Sequence, residues 1–233
     1  MKSPNLLWMS AAMLLTSLSF PTITCASPRK VLKGADATFE FSYPASFLLC
    51  QPRYETPKNA DKPNDSPTGR PFLNGWQPDG CEAYLPICPW AETVTSTGLL
   101  HPEGVACVAY PPSEFVGTNF GGAAFSVSEV PDAKTEEACL QFDQPTMDQK
   151  TIHTVEIGGV TFKTANGGEG GLGHGLDKDV YLTFHNKICY QLETTLEEVT
   201  FENFEPGTVK RFVGQGKVRK EMNDILGSFR FLK

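Results

Sequence analysis

The chain has 233 residues, 40% of them hydrophobic and 20% charged, which is too apolar and too weakly charged for a disordered polypeptide. Its formal net charge of −7 argues against a nucleic acid as partner, because phosphate binding needs a basic face. The 21 glycines and 18 prolines follow no period and no heptad repeats, so neither a collagen nor a coiled coil is written here.

The N-terminal segment carries one charge, Lys2, ahead of an apolar run from Leu6 to Phe20. A membrane helix needs roughly 20 apolar residues, and Pro21 ends this run short of that. Small residues at Thr24 and Ala26 then place a cleavage point before Ser27, so residues 1–26 read as a secretory signal peptide. A lipid anchor on Cys25 is the alternative, although a threonine precedes that cysteine. Loss of Lys2 brings the processed chain to a formal charge of −8. The expected place is secreted or periplasmic, with no transmembrane segment after processing.

Residues 27–35 read as an N-terminal linker, and residues 36–233 as a single domain. At 36–43, Phe39, Phe41 and Tyr43 alternate with other residues in the period-2 pattern of a half-buried strand. The stretch 51–80 changes character: six prolines from Pro52 to Pro78 break every helical run, and polar residues fill the gaps. It reads as a surface insertion, with one N-x-S sequon at Asn64 that Pro67 disfavours.

Past the insertion, residues 105–110 and 122–130 read as strands, and a helix is expected to start at Pro131-Asp132 with Glu136 and Glu137 in its first turn. Gly158-Gly159 between two alternating runs predicts a tight hairpin. A second hairpin is expected around His185-Asn186-Lys187, joining residues 179–184 to 188–196. Val218, Met222, Ile225 and Leu226 share one helical face, predicting a helix over 216–227, and a short strand over 228–232 closes the chain. About six strands joined mainly by hairpins, with helices set apart, predict an α+β fold built on an antiparallel sheet.

Cys25 aside, six cysteines remain: Cys50, Cys81, Cys88, Cys107, Cys139 and Cys189. An even number in an exported chain predicts three disulfides. No C-x-x-C pair is present to suggest a zinc cluster or a redox centre. A Cys139–Cys189 bridge would tie the expected helix to a strand across a loop of about 50 residues, leaving the other four to pair among themselves.

The segments FEFSYPASF, YLTFHNKICYQLETT and MNDILGSFRF resemble exported bacterial proteins with the PsbP-like layout. That layout has a YP-containing first strand, a middle of hairpins, and a last helix running into an IL-x-SF-x-F strand. The resemblance covers residues 36–50 and 150–233 but not 51–100, and it implies an antiparallel sheet flanked by helices.

Two places could carry chemistry. In the glycine-rich run 166–179, Glu169, His174, Asp177 and Asp179 could supply oxygen ligands to calcium. With His185 added, the same residues could instead hold a transition metal. The plainer reading is a mobile connection between hairpins with solvated acids. The second place is the cysteine-tied loop with Trp76, Tyr84 and Trp90, which would present aromatic contact area to a partner or cover a small satellite core. His101 and His153 complete the histidines, and neither lies in a catalytic motif. There is no G-x-S-x-G elbow, H-E-x-x-H pair or P-loop. The sequence therefore predicts an exported, monomeric, non-catalytic binding or accessory protein for an unassigned protein or small ligand, with no cofactor. The alternative is a metal-binding protein or metal-dependent enzyme built on the 166–179 run.

Overall fold

The computed structural model describes residues 28–34, 37–54, 73–77, 88, 103–142, 146–171 and 173–233. Its strands are β1 (Arg29–Lys33), β2 (Phe39–Pro44), β3 (Leu48–Tyr54), β4 (Leu73–Gln77), β5 (Glu103–Ala109), β6 (Phe120–Glu129), β7 (His153–Ile157), β8 (Val160–Gly171), β9 (His174–His185), β10 (Ile188–Val199) and β11 (Arg230–Phe231). Two α-helices accompany them, α1 (Glu136–Cys139) and α2 (Gln215–Leu226). An eight-stranded sheet runs β4-β3-β5-β6-β10-β9-β8-β7, and a three-stranded one runs β1-β2-β11. Every ladder between these strands is antiparallel. The α+β architecture expected from the hairpin pattern is the one observed.

Side-chain alternation sorts the large sheet into two faces. The inner face of β10 presents Tyr190, Leu192 and Leu196, and that of β6 presents Phe125 and Val127, all buried in the main core. The small sheet and α2 cover this face. Phe41 on β2 meets Phe125 edge-on at 5.0 Å between ring centroids, and Phe39 meets Tyr190 at 6.4 Å. Helix α2 buries Val218, Met222, Ile225 and Leu226. Burying four such side chains stabilises by roughly 2 kcal/mol each.

Two local devices hold this layer. Buried Asn119 donates from Nδ2 to the Val199 carbonyl at 2.9 Å and accepts from the Phe212 amide at 2.7 Å. It thus joins the start of β6, the end of β10 and the chain entering α2. At the other end of the sheet, Gly158 and Gly159 (φ +58° and +80°) make the β7–β8 turn. A Cβ on Gly158 would lie 2.4 Å from the Phe229 carbonyl oxygen, so the hairpin tip packs on the chain entering β11.

Several expectations need correction. Among the described residues there are eleven strands where about six were expected. Part of the excess is β1, which lies in the segment read as a linker and pairs with β2 from Arg29↔Pro44 to Lys33↔Glu40. Helix α1 starts at Glu136, not at Pro131-Asp132, because Thr135 is its cap: Thr135 Oγ1 accepts from the Ala138 amide. The glycine-rich run is paired strand, with β8 and β9 in register from Asn166↔Asp179 to Gly171↔His174. Its glycines admit close neighbours: a Cβ on Gly167 would lie 2.6 Å from Met147 Sδ. Of the expected insertion, residues 51–54 continue β3 and 73–77 form β4; the rest lies outside the described residues.

Candidate functional site

The outer face of the large sheet is held by disulfides. Cys139 at the end of α1 is bonded to Cys189 on β10, with a Cα separation of 5.5 Å. Cys88 is bonded to Cys107 on β5, at 5.7 Å. The first is the helix-to-strand bridge expected from the sequence. Cys50, which pairs with Cys107 in the β3–β5 register, is disulfide-bonded as well; Cys81 lies outside the described residues. Disulfides persist in an oxidising compartment, and no described helix is long and apolar enough to cross a membrane. The disulfides fit an extracytoplasmic location.

Cys107 and Cys189 carry their bridges to the same face, and a band of polar side chains lies between them. On β10 the outward residues are Gln191, Glu193, Thr195 and Glu197; across the register on β6, Ser128 faces Gln191 and Ser126 faces Glu193. On β9, Lys178 faces Thr195. Ser126, Ser128, Gln191, Thr195, Lys178 and Glu197 are all buried, while Glu193 is partly open to solvent.

Three side-chain pairings tie the band together. Gln191 Nε2 donates to Glu193 Oε2 at 3.0 Å, and Lys178 Nζ is paired with Glu169 on β8. His174 Nδ1 lies 2.7 Å from Glu197 Oε1. The hydroxyl of Ser128, only 1% exposed, has no hydrogen-bond partner among the described residues. A buried hydroxyl without a partner is rare, since its desolvation costs about 1–3 kcal/mol. Burial pushes the Glu193 carboxyl above the usual carboxylate range, and Glu169 adds to the rise; Lys178 and the Gln191 hydrogen bond oppose it.

The five residues considered as metal ligands are divided by strand alternation. Glu169 and His174 belong to the outer face, where they hold Lys178 and Glu197. Asp177, Asp179 and His185 fall on the inner side. Asp177 pairs with Arg219 of α2 at 2.7 Å, Asp179 accepts from Asn166 and, at 3.4 Å, from Thr194, and His185 stacks on Phe231 at 4.0 Å. Among the described residues no group of three or more histidine, cysteine, aspartate or glutamate side chains is arranged to hold a metal ion. Trp76 lies on β4 opposite Pro52, whereas Tyr84 and Trp90 lie outside the described residues.

Sequence reasoning missed Ser126, Ser128, Lys178, Gln191 and Glu193. Their signal is plain alternation: polar residues at every second position of β6 and β10. Such a row reads as solvated unless a covering element is known.

Comparison with known proteins adds little to this geometry. No family model matches the chain, and no curated protein matches it. Among solved structures it is similar to LpqN of Mycobacterium tuberculosis, a protein described as involved in cell envelope biogenesis. That likeness has 7% identity and a TM-score of 0.39 over 88% of this chain and 91% of LpqN. A protein from Bacteroides thetaiotaomicron VPI-5482 is similar at 11% identity and a TM-score of 0.36, over 89% of this chain and 49% of the other. The PsbP-like resemblance gains no support from these comparisons.

Proposed function

We propose that this chain is an exported, disulfide-clamped binding domain that works without catalysis and holds a small polar ligand against the outer face of its large sheet. The observation that carries the reading is the buried Ser128 hydroxyl, unpartnered among the described residues, in a polar band whose Glu193 opens to solvent. Gln191 is bonded to Glu193, Lys178 to Glu169 and Glu197 to His174, which suits recognition of a ligand better than activation of a nucleophile. With its pKa raised, Glu193 takes up a proton more readily and can then donate as well as accept. Beside the Lys178–Glu169 pair, that makes a near-neutral lining suited to hydroxyl or amide groups.

A ligand that binds only the folded chain raises its melting temperature by mass action. The test therefore compares chain purified natively from an exporting host with the same chain unfolded, disulfides intact, and refolded in clean buffer. The native preparation should melt several degrees higher, and Ser128→Val should remove the difference. Identical melting of both wild-type preparations would contradict the proposal.

A further inference from the structure

We propose that Cys50 and the Cys88–Cys107 bridge form a thiol–disulfide exchange relay, in which opening of Cys50's own bridge by a dithiol reductant moves Cys107 from Cys88 to Cys50. The relay is independent of the ligand reading and belongs to the cysteines at the edge of the polar band.

Three sulfurs meet at one point of the outer face. Strands β3 and β5 pair with Cys50 directly opposite Cys107, and opposed residues of an antiparallel pair point to the same side of the sheet. Cys107 carries the bridge to Cys88, and the three cysteines share one buried cluster with Ala109 and Ala124. Opposed Cα atoms stand about 4.5–5.5 Å apart, inside the roughly 4.4–6.8 Å that a disulfide spans. Cys107 therefore has two sulfur partners within reach: Cys88, at a Cα separation of 5.7 Å, and Cys50 across the ladder. The cluster around Cys139–Cys189 contains no other cysteine among the described residues.

Cys50 is itself disulfide-bonded, to a cysteine outside the described residues. A dithiol gives two electrons to that bond and closes on itself as a cyclic disulfide, leaving two thiols on the chain, one of them Cys50. The Cys50 thiolate then attacks Cys107 Sγ. The Cys50–Cys107 bond forms, the Cys88–Cys107 bond breaks, and its electron pair leaves on Cys88 Sγ, which takes up the proton that Cys50 gave up. This second step consumes no reductant. All three cysteines are at most 1% exposed, so a neighbouring sulfur reaches Cys107 more readily than a dissolved reductant does. The product closes a longer loop than the 19 residues of Cys88–Cys107, which favours the folded chain in the chain-entropy model. β3 stays tied to β5 while Cys88 lets go of the strand, beside Ser126, which stands opposite Cys107.

The natively exported, oxidised chain is treated at pH about 8, where thiolates form, with dithiothreitol raised stepwise until Cys50's original bridge opens. Thiols are trapped with N-ethylmaleimide, and the unreduced peptides are mapped by mass spectrometry. The chain should then carry a Cys50–Cys107 linked peptide and a blocked Cys88. In Cys88→Ser, Cys107 has lost its partner and should be found bonded to Cys50, with one blocked thiol elsewhere on the chain. Should that variant not be recovered folded, the wild-type partial reduction decides alone. A chain that keeps Cys88–Cys107 and holds Cys50 as a blocked thiol would overturn the proposal. So would one in which Cys88 and Cys107 become blocked together, or a blocked Cys107 thiol in Cys88→Ser.

Discussion

Glu193 on β10 stands directly opposite Ser126 on β6, and Ser126 in turn stands opposite Cys107, the strand end of the Cys88 bridge. One cross-strand row therefore joins a carboxyl, a buried hydroxyl and a disulfide. Its neighbour along the strands joins Gln191 to Ser128, next to the Cys189 bridge.

That placement gives Glu193 a pH signature. Its folded pKa is raised above the unfolded value, first by burial. The favourable contribution is then complete below the unfolded pKa and is lost as pH rises through the folded one. Wild type should melt at progressively lower temperature, relative to Glu193→Gln, as pH rises from about 4 to about 8. At neutral pH the variant should be the more stable of the two. Calorimetry across that range checks both; a wild type that stabilises relative to the variant with rising pH would have the opposite sign.

The two described disulfides should differ in worth. Cys139–Cys189 spans 50 residues and Cys88–Cys107 spans 19. Replacing each pair by serine should cost about 4 and about 3 kcal/mol respectively in the chain-entropy model. Denaturant titration reads the order directly.

The β7–β8 turn offers an internal control. Gly159→Ala meets only the positive-φ penalty, because nothing lies within 4 Å of its Cβ position, while Gly158→Ala also meets the Phe229 carbonyl. Gly159→Ala should cost about 1 kcal/mol and Gly158→Ala about 3. Equal losses would mean that the hairpin tip does not press on the chain entering β11.

Asn119→Ala removes both hydrogen bonds that hold the entry to α2. It leaves the Val199 carbonyl and the Phe212 amide without those partners. A loss of about 2–3 kcal/mol is expected. Faster hydrogen exchange confined to residues 208–218 and the end of β10 would mark the cause.

Much of this fold was legible because short-range rules wrote it. Gly158-Gly159 and Asn186-Lys187 both adopt positive φ at the hairpin turns they announce, and α2 buries the four residues its spacing picked out. What was hidden depends on long-range pairing. Strand β1 is five residues with one buried, Leu32, and nothing in RKVLK reports that β2 will recruit it. The glycine-rich run looked like a loop because glycine carries no side-chain signal for a strand, yet residues 166–171 pair in register with 174–179. The polar band was hidden for a related reason: the alternation of Gln191, Glu193, Thr195 and Glu197 marks a face without saying whether water or protein covers it.

Native mass spectrometry of the exported, oxidised chain, beside its Ser128→Val and Glu193→Gln variants, tests the binding account most directly. The account predicts a stoichiometric small-molecule adduct on wild type that both variants lose. A bare wild-type mass, with both variants simply more stable, would make the band an internal polar layer and contradict the account.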